Sequence, residues 1–149
     1  MITIYTDGSC LQNPGPGGWA WIALNENEAV IQENCGSIVN TTNNQMELTA
    51  AIEALQWVLK QPNGPQTQVL VYTDSKYVQQ GISEWIIGWK KKNWRSSTGS
   101  PVKNQSFWVE LDRLNMMLKV RWAWVKAHDT NRWNIHVDNK ARLAAGAAS

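Results

Sequence analysis

A chain of 149 residues, of which 43% are hydrophobic and 17% charged, has the composition of a globular domain, and this excludes an intrinsically disordered segment. The formal net charge of +2 does not by itself indicate a nucleic-acid or membrane partner. No apolar run approaches the roughly 20 residues of a membrane helix, and Cys10 and Cys35 are too few for a disulfide framework. We therefore expect one domain over residues 1–149, a monomer without membrane attachment in a reducing cytoplasm.

The first half of the chain is predicted to form three strands and a long helix. Hydrophobic and polar residues alternate in the first strand, which Gly8 is expected to end, and turn sequences separate the strands. The period then changes, because Leu48, Ile52, Leu55 and Leu59 recur as one stripe of a helix. The predicted elements are strands at 1–7, 19–24 and 29–36 and a helix at about 44–60, with turns at 13–18 and 25–27.

The second half is predicted to alternate between strands and helices. A continuous apolar run at 69–72 is typical of a strand buried on both faces. The remaining predicted elements are helices at 75–80, 85–94 and around 108–118, a strand at 119–125 and an alanine-rich helix at 137–148. The order βββαβ(αα)αβα predicts an α/β fold with a five-stranded mixed sheet flanked by helices.

Two segments place an aspartate at the carboxyl end of a predicted strand. Residues 5–9 read YTDGS and residues 72–75 read YTDS. A single aspartate before glycine or serine is usually turn chemistry, but ligands of open α/β sheets bind outside the carboxyl ends of strands. If the two strands are neighbours, Asp7 and Asp74 face each other at that edge.

Three further polar residues are candidates for the same site, and each has an alternative interpretation. Glu47 lies on the inward side of the long helix, although with Asn44 it also resembles a capping box. Asp138 is expected in the first turn of the last helix, just after Asn134 as a plausible cap, where an acid also complements the helix dipole. His128 lies in a polar loop, where a solvated histidine is the commoner case.

Four converging carboxylates would repel one another unless cations bound between them. Mg²⁺ prefers oxygen ligands, and two such ions about 4 Å apart catalyse phosphodiester cleavage in many enzymes. The sequence contains neither a phosphate-binding GKS or GKT loop nor a GxSxG motif. Metal-assisted phosphoryl transfer is therefore the favoured chemistry.

The motifs taken together resemble the type 1 ribonuclease H family, and most closely its bacterial members. The resemblance extends from about residue 2 to residue 146, and Asp138 follows His128 at the family's spacing. Its carriers are the segments 5–9, 13–18, 41–48, 73–75, 85–94 and 124–128.

The resemblance implies an endonuclease that cuts the RNA strand of an RNA–DNA hybrid duplex. It implies that Asp7, Glu47, Asp74 and Asp138 bind two Mg²⁺ ions, with Mn²⁺ as a substitute, and that His128 assists proton transfer or product release. It also implies three groups of substrate contacts: minor-groove amides (Asn13, Asn43, Asn44), a DNA-phosphate site (Thr42, Asn104) and a basic protrusion (Trp85, Trp89, Lys90, Lys91, Lys92, Trp94).

Two residues depart from the family pattern, and two other functions stay open. Gln45 stands where the family usually has arginine, and Ile135 where it often has glutamate; we expect these changes to affect kinetics and pH optimum more than activity. A DNA-cutting nuclease of the same fold class is one alternative, which the three asparagines disfavour. A non-catalytic hybrid-binding module is the other, which the intact carboxylate set disfavours.

Overall fold

The protein, described by a computed structural model over residues 1–126 and 131–149, is built on a five-stranded mixed sheet. The strand order is β3-β2-β1-β4-β5, with β1, β2 and β3 antiparallel and with β4 parallel to both β1 and β5. This confirms the predicted sheet. The strands are β1 (Ile2–Cys10), β2 (Gly15–Leu24), β3 (Val30–Thr41), β4 (Gln68–Thr73) and β5 (Lys119–Trp124).

Helices cover both faces of this sheet. One buried cluster combines sheet residues such as Ile4 and Trp21 with α1 and α4, and a second combines Tyr5 and Ile22 with α5. Neighbours along a strand point to opposite faces, so both sides of the central strands are buried. No helix in the described ranges has the length and apolar character needed to cross a membrane. The helices are α1 (Asn43–Leu59), α2 (Lys76–Gln80), α3 (Ile86–Lys91), α4 (Gln105–Met117) and α5 (Arg132–Ala148).

Three strands are longer than predicted, and β2 begins at Gly15, inside the predicted turn, rather than at Trp19. β1 continues through Gly8 to Cys10, with Gly8 paired to Trp19 of β2, and β3 extends to Thr41 rather than ending at Gly36. The prediction that Gly8 ends β1 was wrong because this glycine serves a close approach, not a turn. A Cβ at Gly8 would overlap the backbone of α1 at Met46 and Glu47.

Two predicted helix boundaries were also wrong. Gly81 does not end the helix after β4, because a five-residue π-helical turn (Gly81–Trp85) joins α2 directly to α3. The glycine is there because a Cβ would overlap the indole of Trp108. The last helix begins at Arg132 rather than 137, since Asn131 caps it by accepting from the backbone N–H groups of Trp133 and Asn134.

Candidate active site

The two predicted aspartates meet at the carboxyl ends of adjacent parallel strands. β1 and β4 pair in a register that sets Tyr5 opposite Tyr72 and Thr6 opposite Thr73. Asp7 and Asp74 are the next residue of each strand segment, so they emerge side by side. Asp7 is only 2% exposed, and the structure thus brings the aspartates of the two motifs together at one edge of the sheet.

Glu47 reaches the same point from α1. The interpretation of Glu47 as part of a capping box with Asn44 was wrong. Thr42 is the N-cap of α1, and its side chain accepts from the backbone N–H of Gln45, three residues later. Since Gly8 lets β1 pack against the first turns of α1, Glu47 lies within hydrogen-bonding reach of both aspartates. Carboxylate oxygens of Asp7, Glu47 and Asp74 all lie within 4.8 Å of one another.

The electrostatics of this cluster favour a bound cation. Burial, followed by the charges of Asp74 and Asp138, raises the pKa of Asp7 to about 9. Burial likewise raises the pKa of Glu47 well above its usual value and is the main cause that raises the pKa of Asp74. Two oxygens, Asp7 Oδ2 and Glu47 Oε1, are buried without a hydrogen-bond partner among the described residues. An all-oxygen set of acids with unsatisfied atoms suits a hard divalent ion.

Asp138 approaches the cluster from the opposite face of the sheet, on α5. Its side chain lies within hydrogen-bonding reach of Asp7, and one oxygen forms an ion pair of 3.3 Å with Arg142 Nε. Because α5 begins at Arg132, Asp138 lies in its second turn, and the helix-dipole interpretation with Asn134 as the cap was wrong. His128 lies outside the described residues.

The asparagines predicted to contact the substrate lie beside the amino end of α1. Asn13 Oδ1 accepts from the backbone N–H of Asn43 at 3.1 Å, which fixes the loop after β1 against α1. The side chains of Asn13, Asn43 and Asn44 are exposed. Thr42 and Asn104 are partly buried, and both contact Gln45.

The predicted basic protrusion is formed by the π-helical turn, α3 and the following loop. Trp89 and Trp94 pack against the core, with Trp89 5.4 Å from the Trp108 ring, whereas Trp85 is 37% exposed. A groove of about 440 Å³ crosses its surface, lined by Trp85, Trp89, Lys92, Arg95, Ser96 and Ser97.

The three lysines of the protrusion differ in their surroundings. Lys90 forms an ion pair of 3.2 Å with Asp112 of α4. Lys91 and Lys92 are exposed and make no ion pair with any residue that the structure describes. Lys90 therefore ties the protrusion to α4, and the other two offer their charge to solvent.

Sequence reasoning missed two residues beside the site. Gln45 was noted only as a departure, although Thr42 and Gln45 have the spacing of a capping box. Tyr77 carried no signal, and its hydroxyl contacts Asn104 and Trp108. Its role depends on the position of α4, which a local pattern does not specify.

Comparison with known proteins gives consistent matches. Residues 1–146 match the family model described as RNase H. The chain is 48% identical to the ribonuclease H of Treponema denticola, with 94% of each chain covered, and 46% identical to a ribonuclease HI of Xylella fastidiosa, with 99% and 93% covered. Its structure is similar to that of LC9-RNase H1, a type 1 RNase H, with a TM-score of 0.85 at 28% identity, covering 99% of this chain and 73% of that one.

Proposed function

The chain belongs to the RNase H family, and on this premise we propose that it is an endonuclease that hydrolyses the RNA strand of RNA–DNA hybrids. The observation that carries the proposal is the buried cluster of Asp7, Glu47 and Asp74 at the carboxyl ends of β1 and β4. A hybrid-binding module without activity would have no use for three crowded carboxylates whose repulsion destabilises the metal-free fold.

Magnesium is the cation we propose for this site, with manganese as a substitute. Asp7, Glu47 and Asp74, together with Asp138, supply only oxygen atoms, which Mg²⁺ prefers. The buried oxygens of Asp7 and Glu47 that lack a protein partner support this assignment. When two ions are bound, they supply the positive charge that activates a water and stabilises the leaving oxygen.

The protein's own residues bind and orient the duplex. Asn13, Asn43 and Asn44 form a surface of short amide side chains. Such a surface suits the shallow minor groove of a hybrid, where 2′-hydroxyls distinguish the RNA strand. Thr42 and Asn104 contact a phosphate of the DNA strand, and the protrusion contacts further phosphates. These contacts position the duplex without reading bases, so cleavage is independent of sequence. We assign His128 an assisting role in proton transfer or product release.

Strand choice is the direct test of this function. We expect the protein with Mg²⁺ to cut the RNA strand of a labelled hybrid, leaving 5′-phosphate and 3′-hydroxyl ends, and to spare the DNA strand and a DNA duplex of the same sequence. The reason is that 2′-hydroxyls distinguish the strands while an external water attacks the phosphorus. Cleavage of the DNA duplex would instead favour a DNA-cutting nuclease, and a cyclic phosphate product would contradict attack by water.

The exposed lysines give a second prediction, which separates binding from cleavage. Changing Lys91 and Lys92 to alanine is expected to raise KM and leave kcat nearly unchanged, because the carboxylates lie elsewhere. The salt dependence of binding should flatten by up to about 2 units, since each phosphate contact contributes a slope of roughly 0.9 on B-form DNA. Measuring KM and kcat at several salt concentrations gives both quantities.

Two controls define that experiment. Lys119 and Arg121 lie at the amino end of β5, away from the carboxyl ends that carry the acids. Changing both to alanine removes the same charge, and we expect it to leave KM and the salt dependence of binding unchanged. Adding Lys90→Ala should flatten the slope by up to about one further unit, but it also leaves Asp112 without its ion pair. Identical slopes in the Lys91/Lys92 and Lys119/Arg121 variants would show that the protrusion does not bind phosphates.

A further inference from the structure

Asn104 has an unusual backbone conformation at the start of α4. It adopts φ 59° and ψ 32°, the left-handed region, which asparagine tolerates better than most residues but which still costs free energy. Asparagine at such a position commonly caps the helix, yet this side chain makes no capping hydrogen bond. Its amide is instead held by residues from two other helices.

Both ends of the Asn104 amide are occupied. Gln45 Nε2 donates to its Oδ1 at 3.1 Å, and its own Nδ2 donates to the hydroxyl of Tyr77 at 3.1 Å. With Gln45 Nε2 as the donor, turning the Asn104 amide over would set two donors against each other, so this contact selects one orientation of Asn104. Gln45 is also bonded at its other amide atom, because the Thr41 hydroxyl donates to its Oε1 at 2.9 Å, and Tyr77 also accepts from Trp108 Nε1 at 3.0 Å.

Gln45 also engages Thr42. Its backbone N–H donates to Thr42 Oγ1 at 3.2 Å, so the oxygens of both Thr42 and Asn104 accept from the same residue. The hydroxyl hydrogen of Thr42 and the second amide hydrogen of Asn104 are bonded to no residue that the structure describes. Phosphate oxygens accept hydrogen bonds and do not donate them, so these two unengaged donors suit a phosphate group.

We infer that Gln45 and Tyr77 are positioning residues that hold Thr42 and Asn104 as a matched pair of donors for a phosphate of the DNA strand. The inference rests on the proposed function, and neither Gln45 nor Tyr77 touches the substrate. The glutamine amide is bonded at both ends, to Thr41 through its Oε1 and to Asn104 through its Nε2.

A pair of matched variants tests this role. Gln45→Met removes the side-chain hydrogen bond from α1 to Asn104, at the start of α4, together with the bond to Thr41. Gln56→Met removes the other bond from α1 to α4, in which Gln56 Nε2 donates to Glu110 Oε2 at 3.0 Å. Of these two glutamines, only Gln45 contacts Asn104. Gln45→Met is expected to raise the Kd for a hybrid in metal-free buffer, and KM with Mg²⁺, by roughly 2- to 10-fold, the value of one neutral hydrogen bond, with kcat little changed. Gln56→Met should leave both constants unchanged.

Tyr77→Phe tests the positioning role a second time, because it removes the other contact of the Asn104 amide. Thermal unfolding is used to verify that each variant is folded. It should raise Kd and KM by a similar factor in the wild-type background and have no further effect in the Asn104→Ala background, because the residue acts through Asn104. Wild-type cleavage of the hybrid tests the proposed function separately. If the wild type cleaves but the Tyr77→Phe effect persists without Asn104, or Gln45→Met matches Gln56→Met, the positioning role is wrong.

Discussion

Replacing Asp7 by asparagine is expected to lower the rate of hybrid cleavage by roughly a thousandfold or more while the protein stays folded. The substituted amide has nearly the same size as the carboxylate but removes a charge from the proposed cation-binding cluster, and cation stabilisation of the transition state is worth several kcal/mol. The measurement is kcat with saturating Mg²⁺. The control is Glu53→Gln, which neutralises a different, partly buried acid of α1 and should retain activity.

The same variant has an opposite effect on stability without metal. Burial raises the pKa of Asp7 from 3.8 to about 9, so the native protein binds this proton more tightly than the unfolded chain does. The free energy of unfolding therefore falls as pH rises from about 4 to about 9. Asparagine does not titrate, so Asp7→Asn should unfold at a higher temperature than the wild type at pH 8 in EDTA, and the difference should shrink towards pH 5.

Two results would contradict this account. Near-normal turnover by Asp7→Asn would remove Asp7 from the cation site. A wild-type melting temperature that does not rise with added Mg²⁺ would show that the crowded carboxylates bind no cation, because ligands of the native state stabilise it by mass action.

The position of the acids was predictable because strand geometry alone nearly determines it. The repeated tyrosine–threonine–aspartate motif places Asp7 and Asp74 equally far along two strands, and parallel pairing then brings them together. Glu47 followed from the inward face of a strongly periodic helix. None of these steps required knowledge of a particular side-chain contact.

The remainder depended on tertiary contacts that no local pattern encodes. Gly8 and Gly81 were interpreted as element ends because glycine usually interrupts regular structure, but here each one admits a neighbouring element. The start of α5 was misplaced because the prediction considered only Asn134 as a cap, and the structure shows that Asn131 accepts both N–H groups. In retrospect Trp133, four residues before Val137, extends the buried stripe of that helix.

Gly8 allows β1 and α1 to pack closely together. A Cβ added at this position would overlap backbone atoms of Met46 and Glu47, and backbone cannot move aside as a flexible side chain does. In Gly8→Ala, β1 and α1 must therefore separate, which strains the core and withdraws Glu47 from Asp7. We expect a loss of about 1–3 kcal/mol in the free energy of unfolding and a fall in kcat of about a hundredfold, because misplacement by about 1 Å has that effect.

Gly146→Ala is the matched control, since a Cβ there meets nothing within 4 Å and the residue lies in α5. That variant should keep full activity and an unchanged or slightly higher melting temperature, because alanine is the better helix former by about 0.5–1 kcal/mol. Thermal unfolding and kcat, measured on both variants, distinguish the effect of a steric overlap from the general effect of replacing a glycine by alanine. If Gly8→Ala resembles Gly146→Ala in both measurements, close contact between β1 and α1 is not what holds Glu47 in the cluster.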